Sequence, residues 1–131
     1  MKQIVITKEN YVGLLADITE ALAIKNINII SIDAMEIGRL AIFRVAVDEA
    51  CYDKALRLLR DHHFEAIAEE TLVIRLKDEP GALAKISKQF KEAGIDMQSI
   101  RILRRDEGWG LVAIGTNDIE AGKKLLGSLL I

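Results

Sequence analysis

Apolar residues recur along the chain at two different spacings, and each spacing predicts one kind of element. Within residues 80–93 the apolar positions Leu83, Ile86 and Phe90 return every three or four residues, which is typical of a helix with one buried face. Residues 71–77 are instead β-branched and apolar, which favours a strand. Taken along the whole chain, these patterns predict strands at 2–7, 28–36, 39–47, 64–69, 71–77, 96–104 and 109–116, and helices at 13–25, 50–62, 80–93 and 118–127.

The joint between the strand at 71–77 and the next helix contains the only proline of the chain, Pro80. Proline suits the first turn of a helix, because its fixed φ is already helical and its missing N–H would have no helical partner there. Gly94 ends the same helix, since glycine tolerates the left-handed conformation of a helix end. We therefore predict that the helix starts near Pro80 and that its first N–H groups are free to bind an acceptor.

An internal repeat divides the chain. Residues 13–32 align without a gap on residues 81–100, at an offset of 68. Identical residues occupy seven pairs of positions: Gly13 and Gly81, Leu15 and Leu83, Ala16 and Ala84, Ile18 and Ile86, Ile27 and Ile95, Ser31 and Ser99, and Ile32 and Ile100. After a one-residue insertion in the turn at 105–108 the offset becomes 69. This self-similarity indicates a tandem duplication.

Each repeat has the element order strand, helix, strand, strand, helix, strand, which is the ferredoxin-like unit. The predicted fold is therefore α+β, with two tandem βαββαβ units whose antiparallel sheets carry their helices on one face. The domain limits predicted are 1–69 and 70–131. At the offset of 69, Ile131 aligns on His62, so the last strand of the second unit is predicted to be absent or a stub at 129–131.

Sheet edges without a neighbour predict how the units associate, because open backbone N–H and C=O groups invite another strand. We expect the second strands of the two units, 28–36 and 96–104, to pair into one continuous sheet. The strand at 71–77 lacks its edge neighbour, which predicts a homodimer that covers this edge.

Composition argues against several function classes. The formal charge of −2, from 18 basic and 20 acidic residues, favours neither nucleic acid nor an anionic membrane as a partner. The single Cys51 cannot form an internal disulfide, and MKQIVITKEN lacks an apolar signal region, so we expect a cytoplasmic protein. No phosphate-binding loop, metal-spaced cluster or nucleophile motif is present, and therefore we predict a non-enzyme without a cofactor.

The segment that runs from Asp78-x-Pro80-Gly81 to the helix exit at Gly94 closely resembles the ACT domain, the amino-acid-sensing regulatory module. The tandem arrangement is similar to small stand-alone proteins that consist of two ACT domains. In the first unit Asn10-Tyr11-Val12-Gly13 replaces the Asp-x-Pro-Gly motif, so the resemblance is weaker there. It implies a regulatory protein that senses an amino acid and acts on an enzyme or another protein.

The resemblance also implies a site. In the family the effector lies at the interface between two ACT units, under the loop that joins the first strand to the first helix, and the start of the neighbouring second strand completes the pocket. An α-carboxylate would bind the free N–H groups of the helix start, and side-chain oxygens would accept from the α-ammonium. The residues implied are Asn10, Tyr11, Val12, Gly13, Leu14, Leu15, Asn28 and Ile29 in the first unit, and Asp78, Glu79, Pro80, Gly81, Ala82, Leu83, Asp96 and Met97 in the second.

Structural explanations compete with this site. Asn10 and Asp78 suit simple helix caps, Asn28 and Asp96 suit polar strand starts that face water, and the two loop glycines suit close packing. RNA-binding domains share the order of elements, but they need a basic surface with several stacking aromatics, which this chain lacks. The main alternative is a ligand-free module for protein association.

Overall fold

A computed structural model describes all 131 residues and divides the chain into two compact units. The first unit is Lys2–Glu69, and the second is Glu70–Ile131 together with Met1. The first contains β1 (Lys2–Glu9), α1 (Leu14–Ile24), β2 (Ile29–Ile37), β3 (Leu40–Val47), α2 (Tyr52–Asp61) and β4 (Glu65–Glu70). The second contains β5 (Leu72–Lys77), α3 (Ala82–Glu92), β6 (Met97–Asp106), β7 (Trp109–Thr116) and α4 (Ile119–Leu126). The order of elements is that of two tandem ferredoxin-like units, as predicted.

The first unit has a four-stranded antiparallel sheet in the order β2-β3-β1-β4. Alternation places Ile6 and Phe43 opposite each other on the face that packs against the helices, and Ala34 of β2 faces Phe43 on its other side. Leu14 and Ile18 of α1 are buried against this face. The core therefore lies between one sheet face and the two helices, as the periodicity predicts.

The second unit has a three-stranded antiparallel sheet in the order β5-β7-β6. Ile74 faces Ile114 on the helix side, and Phe90 of α3 is buried in the same cluster. The missing fourth strand is replaced by a stub, since Leu130 forms a single antiparallel bridge with Ile74. The structure therefore confirms the sequence alternative of a stub at the chain's last residues.

The repeat extends to backbone conformation. Asn26 and Gly94, which occupy equivalent positions after α1 and α3, both have positive φ, at 56° and 71°. The loops after β1 and β5 are held in the same way: the Asn10 N–H donates to the Arg39 carbonyl at 2.7 Å, and the Asp78 N–H donates to the Gly108 carbonyl at 2.8 Å. Equivalent sequence positions therefore take equivalent local structure.

The expected pairing of the two second strands within one chain is wrong. β2 and β6 belong to separate sheets, and each is hydrogen-bonded to one neighbour, β3 and β7 respectively. Both strands contain register irregularities, between Ile29 and Ser31 and between Ile102 and Arg104. Bulges of this kind twist an edge strand and hinder regular pairing.

None of the helices has the length and apolar character needed to cross a bilayer.

Candidate functional site

Both helices that follow a unit's first strand begin with a glycine in the left-handed region. Gly13 precedes α1 with φ 95°, and Gly81 precedes α3 with φ 89°. Neither helix has a side-chain cap. Pro80 lies one residue before the N-cap rather than in the first helical turn, so it fixes the loop and not the helix. The interpretation of Asn10 and Asp78 as simple helix caps is therefore wrong.

The missing caps leave donors at both helix starts. The earliest N–H groups turn back into the loop, from Leu14 to the Tyr11 carbonyl and from Ala82 to the Glu79 carbonyl. The first full helical bonds come from Asp17 and Lys85, which donate to the N-cap glycines. The two N–H groups between them in each helix have no helical acceptor. Such groups, together with the helix dipole, favour an anion such as a carboxylate.

A pocket of about 260 Å³ lies under this loop in the second unit. Its wall is formed by the loop Asp78–Gly81 and the first turn of α3, and its floor by Gly110 and Val112 of β7. Arg105 of β6 closes one side, where its Nε lies 3.4 Å from the Asp78 carboxylate. The pocket therefore combines an apolar floor, a free helix start and one ion pair that spans the loop and β6.

A pocket of equal volume, about 260 Å³, lies under the loop of the first unit. Its lining comes from equivalent elements: the loop and the start of α1, the β2 residues Ala34, Met35 and Glu36, and Ala41 and Phe43 of β3. Strand pairing shows that the two linings are equivalent. Glu36 faces Ala41 in the first sheet, and Arg105 faces Gly110 in the second, with both residues of the pair shifted by 69 positions. The duplication has thus preserved a cavity as well as a fold.

Tyr11 ties the first loop to its helix. Its hydroxyl donates to the Asp17 carboxylate at 2.5 Å. That hydrogen bond, followed by desolvation and by the carboxylate's charge, raises the pKa of Tyr11 above its ordinary value. The phenol is protonated at neutral pH, as an ordinary tyrosine is, and it donates to Asp17. The Val12 side chain, by contrast, is fully exposed beside the loop and does not line the pocket.

The structure brings most of the implied site residues together, and separates four of them. Those that line a pocket are Asn10, Tyr11, Gly13, Leu14, Leu15, Asp78, Glu79, Pro80, Gly81, Ala82 and Leu83. Val12 lies in the loop but lines neither pocket. The four remaining residues stand at the opposite end of their strands, because Ile29 faces Val47 and Met97 faces Thr116. Strand geometry puts these starts roughly 25 Å from the loop of their own unit. Asn28, Ile29, Asp96 and Met97 therefore line neither pocket.

Sequence reasoning missed the part of each pocket that comes from the middle and end of β2 and β6. Residues 105–108 read as a turn, but β6 continues to Asp106, so Arg105 is a strand residue that lines the pocket. The repeat alone does not locate it, because the strand pairing is needed as well. Positions that face Ala41 and Gly110 across the sheet follow from the offset of 69 once the strand pairing is known.

The chain is similar to known proteins in both sequence and structure. Residues 4–64 match the family model of the ACT domain. A protein from Bacteroides thetaiotaomicron, BT0572, is 28% identical, with 99% of this chain and 90% of that chain covered and a TM-score of 0.80. The ligand-free regulatory subunit of aspartate kinase from Thermus thermophilus is 19% identical, with 98% and 91% covered and a TM-score of 0.63. The corresponding subunit from Thermus flavus is 18% identical, with 95% and 89% covered and the same TM-score, 0.63. No curated protein matches the chain.

The match to the ACT domain family covers residues 4–64, which lie within the first unit. The second unit repeats the same elements, and the structural relatives extend over nearly the whole chain. The match of the first unit to this family indicates a small-molecule-binding regulatory role.

Proposed function

We propose that this chain is a non-catalytic regulatory protein that binds an amino acid in the pockets under the Asn10–Gly13 and Asp78–Gly81 loops. Residues 1–69 and 70–131 would act as its two ACT domains. A single observation supports this proposal most directly: equivalent positions of both units form cavities of equal volume, about 260 Å³, under an uncapped helix start. That repeated arrangement suits the carboxylate and ammonium of an amino acid.

The effector site is proposed to lie between ACT units of neighbouring chains. Each pocket reaches the edge strand of its own sheet, through Ala34–Glu36 in β2 and through Ile102 and Arg105 in β6. Another unit that approaches such an edge would bring its own second-strand start toward the pocket. Asn28 with Ile29, or Asp96 with Met97, would then supply the contacts that no single unit provides.

A homodimer is part of the proposal. The outer edge of β5 is covered by a short stub, in which Leu130 bridges Ile74 and the Ile131 N–H donates to the Val73 carbonyl at 3.1 Å. A cleft of about 400 Å³ lies beside the next residues, at Arg75 and Lys77. The edge strand β4 of the first unit contains three glutamates in six residues (EAIAEE). A second copy could therefore place its acidic β4 edge against the basic part of the β5 edge.

A thermal-shift panel of the common amino acids tests the proposal. A ligand that binds only the folded state at about 100 times its Kd adds about 2.7 kcal/mol and raises Tm by roughly 5–15 °C for a chain of this size. We expect at least one amino acid to do so, with confirmation by calorimetry. If no amino acid shifts Tm, the ligand-free association module becomes the better explanation of the fold.

A further inference from the structure

The two pockets are equivalent in position but differ in their charged residues. Acidic residues of the first unit are replaced by basic ones at three equivalent positions: Glu9 by Lys77, Asp17 by Lys85, and Glu36 by Arg105. Glu36 and Arg105 each line their pocket, and Lys77 lines the second. Asp78 and Glu79 also line the second pocket, so it contains groups of both charges, whereas Glu36 is the one charged residue that lines the first. A duplicated cavity whose charged residues differ selects a different ligand, because charge complementarity decides which partner is excluded.

We infer that the pocket of the second unit is specific for a dicarboxylic amino acid, and that Arg105 is the residue that selects the second carboxylate. The inference rests on the proposed function and adds the ligand class and the site that takes it.

Asp78 and Arg105 form an exchangeable pair. Their 3.4 Å contact joins side chains that are 40% and 63% exposed, so water screens the attraction and the pair contributes little to stability. A ligand ammonium can therefore replace the guanidinium on Asp78. The released Arg105 then has a free planar donor group, which matches a carboxylate in a bidentate way.

The three charged groups of a dicarboxylic amino acid each find a partner in this pocket. The α-carboxylate meets the uncapped start of α3, whose first turn contains no acidic residue and is followed by Lys85. The ammonium meets Asp78, and the side-chain carboxylate meets Arg105, which the ammonium has displaced from Asp78. A neutral side chain would leave the displaced Arg105 without an anion.

The first pocket disfavours the same ligand. A side-chain carboxylate there would face Glu36, and no lysine or arginine lines the cavity. Asp17 also lies in the first turn of α1, where its charge offsets the helix dipole that would otherwise attract an anion. Like charges in a shared pocket weaken binding, so a dicarboxylic ligand should leave this pocket unoccupied.

Calorimetry with isosteric ligands tests the inference. L-Aspartate and L-glutamate are compared with L-asparagine and L-glutamine, which have the same shape without the second charge. We expect one acid to bind wild-type protein at least about tenfold more tightly than its amide, the effect of one charge-assisted hydrogen bond. Arg105→Gln should reduce that ratio to about one, whereas the matched change Arg104→Gln, at an exposed neighbour that lines neither pocket, should leave it unaltered.

The other possible results contradict either the inference alone or the proposed function as well. Equal affinity of acid and amide for wild-type protein, or a preference that survives Arg105→Gln, overturns the inference alone. Loss of the preference in Arg104→Gln as well would show that the effect does not depend on the pocket residue Arg105, and overturns it too. If no amino acid binds wild-type protein, the proposed function fails and the inference fails with it. Because Arg105 is largely exposed, an unchanged Tm of the unliganded variant verifies that it folds.

Discussion

At the scale of single residues, the loop glycines are needed for their backbone conformation rather than for space. Gly13 and Gly81 have φ of 95° and 89°, and a Cβ built on either would have no heavy atom within 4 Å. Replacement by alanine therefore causes no clash, and its cost comes from the left-handed conformation. We expect Gly13→Ala and Gly81→Ala each to lower the free energy of unfolding by about 1–2 kcal/mol, measured by urea denaturation.

Gly110 supplies the matched control. Its φ is not in the positive range, and an added Cβ would meet the Arg104 and Leu76 carbonyl oxygens at 3.9 and 4.0 Å, which is ordinary contact. Ala41 already stands at the equivalent position of the first unit. Gly110→Ala should be neutral or slightly stabilising, since glycine weakens a strand. A cost as large as that of Gly81→Ala would contradict the backbone explanation.

At the scale of elements, the helices differ in how they begin. Asp118 caps α4, where its carboxylate accepts from the Ala121 N–H at 3.0 Å, whereas α1 and α3 begin at uncapped glycines. Asp118→Ala should therefore destabilise the protein by about 0.5–2 kcal/mol. Asp78→Ala should change the free energy of unfolding by less than about 0.5 kcal/mol, because its ion pair is exposed.

Asp78 and Asp118 should differ in the opposite way in their effect on ligand affinity. We expect Asp78→Ala to weaken binding of whichever amino acid shifts Tm, and Asp118→Ala to leave its affinity unchanged. Urea denaturation and calorimetry on the same two variants therefore distinguish a cap from a binding group. Equal stability losses in both variants would restore the structural explanation of Asp78.

The element order was predictable because both units are built from strong periodic segments, and the duplication let each unit support the interpretation of the other. Single residues that tolerate positive φ, such as Asn26 and Gly94, also predicted where the helices end. Strand pairing was less predictable, because the edges of β2 and β6 are altered by irregularities that period-two alternation does not reveal. Arg105 was missed for the same reason, since its place in the pocket depends on register.

At the scale of the whole molecule, two sheet edges have complementary charges. β4 contains Glu65, Glu69 and Glu70, of which Glu69 pairs with Arg44 at 3.7 Å, while β5 ends with the exposed Arg75 and Lys77. Arg75 also stacks on Trp109, with its guanidinium carbon 4.3 Å from the ring centroid. If β4 of one copy adds to β5 of the other, a two-fold dimer contains this contact twice.

Reciprocal charge reversal tests the dimer. One variant combines Glu65→Lys with Glu70→Lys, so both of its edges are basic; the other combines Arg75→Glu with Lys77→Glu, so both are acidic. Like charges directly opposite in a sheet destabilise pairing, and we expect each variant alone to dissociate at least roughly tenfold more readily than wild type. Mixing the two variants restores opposite charges at both contacts and should restore the dimer in sedimentation velocity. Dimers that persist in both variants, or a mixture that stays monomeric, would show that the contact lies elsewhere, with the exposed apolar side chains of β2 as the next place to test.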